Sequence, residues 1–308
     1  MKKIIIAGGS GSLGKVLGDY FSKQDYQVII LSRKVKPAKG NISFVRWDAE
    51  TLGNWATQLD GSEAIINLNG RTVNCRYTEQ NKKDIIDTRV NSTSIIGKAI
   101  EQSANPPKVW INASSAAIYG DTGGKLTDES SPFGKGFSTE VCIKWEEALN
   151  NANTPKTRKI ALRIGLVLTE DGGVLEPIFN LAKYGLAGTI GNGKQYMSWI
   201  HEDDFIGVVN LCLRDEKFVG QFNCTCPNPV TNAEFMKSVR KATGSRVGFP
   251  APAIFVKMGA FFMGTEPELV LKGRRVVSKV LVDHAYKFKF SDIDKAMTDI
   301  VSRKDNGR

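Results

Sequence analysis

Ala7-Gly8-Gly9-Ser10-Gly11-Ser12-Leu13-Gly14 decides how the rest of the chain is read. Before it stands a short apolar run, Lys3-Ile4-Ile5-Ile6-Ala7, rich in β-branched residues. After it Leu13, Val16, Leu17, Tyr20 and Phe21 recur at helical spacing. The segment satisfies GxGxxG through Gly9, Gly11 and Gly14, and GxxGxxG through Gly8, Gly11 and Gly14. A glycine pattern alone is weak evidence. Between a buried strand and an amphipathic helix it is strong, because glycine lets the backbone turn sharply and approach a pyrophosphate, whose charge a helix N-terminus favours. Gly8, Gly9 and Gly11 are therefore candidate dinucleotide contacts.

The next strand, Val28 to Leu31, ends in Ser32-Arg33-Lys34. A carboxylate there would hydrogen-bond the ribose 2′-hydroxyl of NAD. None is present, and Arg33 can pair with a 2′-phosphate while Ser32 donates a hydrogen bond. The expected cofactor is NADP(H), with the alternative that Arg33 and Lys34 only solvate a loop. Further short apolar runs follow at Ile42 to Val45, Ala64 to Leu68, Val109 to Ala113 and Lys159 to Ile164. Between them lie a long helix from about Thr78 to Asn105-Pro106-Pro107 and a second over Ser138 to Asn150. Strands alternating with helices predict an α/β fold, a Rossmann-type doubly wound parallel sheet covered on both faces.

Regularity changes after residue 165, where glycines stand at 172, 173, 185, 188, 191 and 193. Phe205, Val208, Val209 and Cys212 mark a helix returning to the core. The expected division is a nucleotide-binding domain of residues 1–165 with about 200–215. Residues 166–199 and 220–308 form a smaller C-terminal α+β lobe that binds substrate. Pro250 to Ile300 carries Ile254, Phe255, Phe261, Phe262, Leu269, Val276, Val277, Phe288 and Phe290, so it should pack near the cleft.

Composition narrows the function classes. Hydrophobic residues make up 41% and charged residues 24% of the 308, as in a folded globular protein. The net charge of +10 is spread along the chain without aromatic interleaving, which excludes a nucleic-acid module and suits a phosphorylated ligand. No run reaches the roughly eighteen apolar residues of a membrane span, and the opening apolar run is too short for a signal peptide. The expected location is the cytoplasm. Five scattered cysteines and two histidines give no zinc spacing, and the thiols are taken as reduced. Cys224 and Cys226 are expected on one strand face. No oligomeric state can be read.

The turn, Ser32-Arg33, Trp47-Asp48, Ile66-Asn67-Leu68-Asn69-Gly70, Thr88-Arg89-Val90, Ser114 to Gly120, Arg163 to Leu168 and Trp199-Ile200-His201-Glu202-Asp203-Asp204 follow one another in an order that is specific. In that order the chain resembles the atypical extended short-chain dehydrogenase/reductases, the YfcH-like epimerase family branch of the NAD-dependent epimerase/dehydratase superfamily, including its small C-terminal domain. The resemblance implies that Ser10, Gly11, Ser12 and Leu13 touch the pyrophosphate. It further implies that Leu68, Asn69 and Gly70 run beside the adenosine ribose and that Arg89 approaches the cofactor. Asp48 meets the adenine or caps the next helix. His201 is expected as a structural hydrogen-bonder.

The superfamily's chemistry uses a Ser with a YxxxK pair, the Lys lowering the pKa of the Tyr. Ser115 occupies the serine position. Counting back from Glu146 puts Ser138 where Tyr belongs and Cys142 where Lys belongs, and none of the seven tyrosines has a Lys four residues on. Lys144 is no substitute, since two helical residues rotate a side chain by roughly 200°. Tyr119 is the remaining candidate proton donor, or else an ordinary tyrosine at a strand end. Cys142 reads as a packing thiol, and Asp121 to Phe137 as a lid or a surface excursion. The expected function is an NADP(H)-binding oxidoreductase or epimerase-like enzyme acting on a small carbonyl or hydroxyl compound. The alternative is a non-catalytic NADP(H)-binding redox sensor or partner-binding module.

Overall fold

The computed structural model describes residues 1–306, with every side chain in them except those of Phe262, Met263 and Asn306. Phe262, one of the apolar residues assigned to the C-terminal lobe, thus lies outside the described set. The chain is built around strands β1 (Lys2–Ala7), β2 (Tyr26–Ser32), β3 (Ile42–Arg46), β4 (Ala64–Asn67) and β5 (Val109–Ser115), joined by the strands Arg158–Ile164 and Gly220–Cys224. They form one seven-stranded sheet in the order Gly220–Cys224, Arg158–Ile164, β5, β4, β1, β2, β3. Every pairing is parallel. This is the Rossmann order, in which the chain runs outward from β1 in both directions.

Helices follow where the periodicity placed them: α1 (Ser12–Ser22), α2 (Glu79–Gln102) and α3 (Phe137–Asn150). Thr78 caps α2 by accepting the Asn81 N–H. Ile4, Ile5 and Ile6 have no exposure at all, because consecutive side chains point to opposite faces and helices cover both. Each such burial contributes about 1.5–3 kcal/mol. One apolar cluster holds Ile4, Ile6, Leu17 and Phe205, and the other holds Ile5, Trp55, Ile96 and Trp110.

The lobe has its own core. Helices α4 (Leu175–Lys183) and α5 (Glu202–Arg214) are followed by α6 (Asn232–Thr243), α7 (Ala253–Met263), α8 (Glu268–Leu271), α9 (Lys279–Asp283) and α10 (Ile293–Asn306). Phe179, Trp199, Phe235, Met236, Met297 and Ile300 pack together between α4, α6 and α10. Helix α5 returns to the sheet as expected, burying Phe205, Val208, Val209 and Cys212 there.

Three expectations need correction. The boundary drawn at 220 falls too early, since Gly220–Cys224 is the sheet's outermost strand beside Arg158–Ile164. Its Phe222 and Cys224 fill the sheet core, so the lobe resumes after Cys224. For the same reason Cys224 and Cys226 do not share a face: Cys226 is buried in the lobe core instead. Finally, Ile254, Phe255 and Phe261 on α7 are 65%, 60% and 64% exposed. Apolar content alone did not tell the outer face of that helix from its inner one.

Among the described residues, no helix is long and apolar enough to cross a membrane. All five cysteines are free thiols.

Candidate functional site

The crevice at the C-terminal ends of β1 and β4 is the switch point of the sheet, where such folds receive ligands. The glycine turn lies there. Gly8 has φ +76°, and a Cβ on it would meet Asn69 Cα at 2.9 Å. A Cβ on Gly14 would meet Gly9 Cα at 2.3 Å, so α1 can approach the turn only without a side chain. Gly11 is different: its Cβ would meet nothing nearer than Gly8 O at 3.6 Å. Gly11 is also the N-cap of α1, with no side-chain cap and no acid in the first turn. Free N–H groups with a positive dipole end therefore face the crevice beside exposed Ser10, which is the arrangement a diphosphate needs.

The flanking candidates converge on the same edge. Gly8 N–H donates to Leu31 O at 3.3 Å and Leu68 N–H to Ala7 O at 2.9 Å. These bonds tie the ends of β2 and β4 to the turn. Leu13 is half-buried on α1. Ser12 Oγ donates to the Asp171 carbonyl at 3.0 Å, placing the Thr169–Gly173 loop over the helix start. Arg33 is exposed, and among the described residues it has no ion-pair partner. Ser32 Oγ is engaged locally, donating to Lys34 O at 2.8 Å and accepting from Lys34 N–H at 3.2 Å. Asp48 accepts from Glu50 N–H, Thr51 N–H and the Thr51 hydroxyl. These bonds hold its carboxyl at about 2. It closes a turn ahead of the short helix Asn54–Leu59, whose N-cap is Gly53, so the expected helix-capping role is not met.

Asn69 and Gly70 lead away from this edge to Arg89. Asn69 Nδ2 donates to Thr88 O at 3.1 Å, and a Cβ on Gly70 would meet Arg89 Cζ at 2.9 Å. Arg89 donates from one nitrogen to Ile85 O at 2.9 Å and Arg71 O at 3.0 Å, and lies over the Trp145 ring at 5.1 Å. Trp145 is held by its own N–H bond to Thr93 Oγ1, 3.0 Å.

Arg89, Trp145 and Ser115 all border a cavity of about 390 Å³ between the sheet edge and the lobe. The lobe lines it with Leu166, Met197, Leu269, Val270 and Arg274. Ser115 Oγ accepts the Ala117 N–H at 3.2 Å and makes a long 3.4 Å contact to Ile164 O, so its proton is weakly held. Ser138 and Cys142 also reach this cavity. Burial pushes the Cys142 thiol up to about 12, which leaves no thiolate at neutral pH.

Tyr119 is placed elsewhere. Its hydroxyl donates to Asn223 Oδ1 at 3.0 Å and accepts from Arg163 at 2.9 Å, and it does not border the cavity. Arg163 forms a buried ion pair with Glu146 at 2.8 Å, and Ser114 Oγ donates to Glu146 at 2.6 Å. Burial raises the Tyr119 pKa above its usual value. Tyr119 thus belongs to a structural polar network, and the geometry corrects its reading as proton donor.

His201 is wholly buried and caps α5, its Nδ1 accepting the Asp203 N–H at 3.1 Å, which is the structural role expected of it. The Asp121–Phe137 segment is fastened rather than lid-like. Leu126–Thr127 pairs with Arg275–Val276, and Glu129 accepts from Asn223 N–H, Ser278 Oγ and Lys279 N–H.

The family model of the NAD dependent epimerase/dehydratase family matches residues 4–224. The chain belongs to that family. A domain of unknown function, DUF1731, matches residues 251–300. "Epimerase family protein YfhF" of Bacillus subtilis is 29% identical over 302 residues, covering 97% of this chain and 98% of its own. "Epimerase family protein SDR39U1" of Homo sapiens is 29% identical over 306 residues, covering 97% and 100%. A crystal structure of human SDR39U1 (isoform 2) with NADPH superposes with a TM-score of 0.87 at 28% identity, covering 97% of this chain and 99% of that one. A UDP-N-acetylglucosamine 4-epimerase from Bacillus cereus, 17% identical with a TM-score of 0.78 and coverage of 99% of each chain, shares the fold.

Sequence reasoning missed Arg274. It stands in Gly273-Arg274-Arg275, far along the chain from the turn, and no local periodicity links it to Ser115.

Proposed function

We propose that this family member is an NADP(H)-dependent oxidoreductase, epimerase-like in fold, acting on a small carbonyl or hydroxyl compound in the cavity. The observation that carries the reading is Ser115: a weakly held hydroxyl at the end of β5, on the wall of a largely apolar cavity beside the cofactor crevice. NADP(H), when bound, supplies or accepts the hydride.

The chain's own groups do the rest. The uncapped start of α1 and Gly11 hold the diphosphate, and Arg33 pairs with the 2′-phosphate, a reading supported by the NADPH bound to the human relative. The Ala117 N–H fixes Ser115 Oγ, leaving its proton to aim at a substrate oxygen and stabilise charge developing there. Trp145, Leu166 and Met197 give the cavity an apolar wall. Arg89 and Arg274 bring positive charge towards Cys142, which stands where relatives of the wider superfamily use lysine. The free thiols support a cytoplasmic setting, since disulfides are rare there.

One observation favours cofactor binding without turnover: the Tyr119 hydroxyl is engaged and the Cys142 thiol is inert. Incubation with NADPH and small aldehydes, ketones, quinones and sugars, following loss of NADPH absorbance, separates the two. Consumption with any of them supports the enzyme; tight NADPH binding with none consumed supports the sensor.

A further inference from the structure

Three cations, Arg89, Lys272 and Arg274, border the cavity, and among its lining residues there is no carboxylate. They are not equally free. Lys272 is neutralised by Glu268 at 2.5 Å. Among the described residues Arg89 bonds only to backbone carbonyls and makes no ion pair, which leaves its charge without a direct partner. Arg274 has less still: its Nε is buried without any hydrogen-bond partner, and among the described residues its guanidinium makes no ion pair. The neighbouring Arg275 shares the unpartnered Nε, but its guanidinium also bonds Gly124 O at 3.3 Å and lies over the Tyr196 ring at 4.6 Å.

Both guanidinium groups border the same cavity as Cys142. Arg89 comes from the sheet side and Arg274 from the lobe. Arg274 feels the Glu268 and Asp121 carboxylates at longer range, but neither pairs with it. A partly buried charge without a direct partner is costly, and a fold that keeps two of them on one cavity suits an anion. The diphosphate cradle at α1 is a separate place, so the cofactor's phosphates do not meet this need.

We infer that the cavity takes a small oxo or hydroxy acid, its carboxylate paired with Arg274 and Arg89 and its oxo or hydroxyl oxygen at Ser115. This rests on the reading of Ser115 given above. A planar carboxylate suits the fork of a guanidinium. A volume of about 390 Å³ lies near the lower end of ligand pockets, and the largely apolar walls suit a compact monoanion.

The test is calorimetric binding to the NADPH-loaded protein. The probes are acetoacetate, 2-oxobutanoate and 2-oxoglutarate, each with its methyl ester, and hydroxyacetone phosphate. At least one acid should bind about ten- to a hundredfold more tightly than its ester. Arg274→Met should erase that preference with NADPH affinity unchanged, and Arg274→Lys should restore part of it. Arg274→Met should also raise the melting temperature of the free protein, because it removes an unpaired buried charge. Esters binding as well as acids, a preference that survives Arg274→Met, or binding of the phosphate alone would overturn the inference. Acid binding that depends on Arg274 without NADPH consumption would sustain the acid site while removing the turnover reading. Consumption of NADPH with neutral carbonyls alone would do the reverse.

Discussion

Replacing Gly11 and Gly14 separately with alanine should divide cofactor binding from folding. At Gly14 the new Cβ would lie 2.3 Å from Gly9 Cα and 2.6 Å from Gly9 C. These are backbone atoms, so the turn must open by more than an ångström. Overpacking of this kind costs about 1–3 kcal/mol, enough to lower the melting temperature of Gly14→Ala by several degrees. At Gly11 the Cβ would clear every atom but Gly8 O at 3.6 Å, and φ −79° suits any residue. Alanine is a poorer N-cap than glycine, by about 0.5–1 kcal/mol. The stiffer unfolded chain returns about 0.4–1 kcal/mol. The two nearly cancel, and Gly11→Ala should melt within a degree or two of wild type. Its methyl, however, enters the space where the diphosphate must approach the α1 amides, so NADPH affinity should fall at least about tenfold, or 1.4 kcal/mol. Differential scanning fluorimetry and calorimetry read the two effects on the same samples. Wild-type NADPH affinity in Gly11→Ala would refute the placement of the diphosphate at this turn.

Ser115→Ala should cut single-turnover NADPH oxidation by about a hundred- to a thousandfold with NADPH affinity unchanged, whereas Cys142→Ala should be nearly silent; the reverse pattern would mean the site is wrongly placed. Tyr119→Phe removes the hydroxyl that meets Arg163 and Asn223, so it should cost about 1.5–3 kcal/mol of stability in urea titration and leave turnover intact; a stable but inactive variant would make Tyr119 catalytic. Burial raises Glu202 to about 7, outweighing its 3.3 Å contact with Arg303. The native state therefore favours the protonated acid, and the associated stability, present below the usual carboxylate pKa, is lost as pH rises through about 7. His201 has the opposite sign, its pKa depressed by burial, so its contribution is lost as pH falls below the usual imidazole value. Glu202→Gln should gain on wild type between about pH 5 and about pH 8 in thermal melts, and a constant difference would contradict this.

The cofactor half of the molecule was legible because its signals are local. Ile4 to Ile6, the glycines and the first helix are contiguous, and each acts through its own backbone. Helices α2 and α3 followed from periodicity to within about three residues at each end. The last sheet strand was only half legible: a strand was expected at Cys224, but its membership of the main sheet shows only in its pairing with Arg158–Ile164. Tyr119 shows the same limit, since its position at a strand end fits a catalyst or a structural tyrosine equally well. Its partners Arg163 and Asn223 stand 44 and 104 residues away. Arg274 was invisible for a related reason, because an arginine is usually solvated and only the tertiary fold shows that this one borders a cavity.

The most direct test of the account is the affinity of the wild-type protein for NADPH and for NADH, measured side by side by calorimetry. A charge-assisted contact from Arg33 contributes about 1.5–3 kcal/mol, so NADPH should bind at least about tenfold more tightly. Arg33→Ala should remove most of that difference. Equal affinities, or no binding of either, would contradict the central claim.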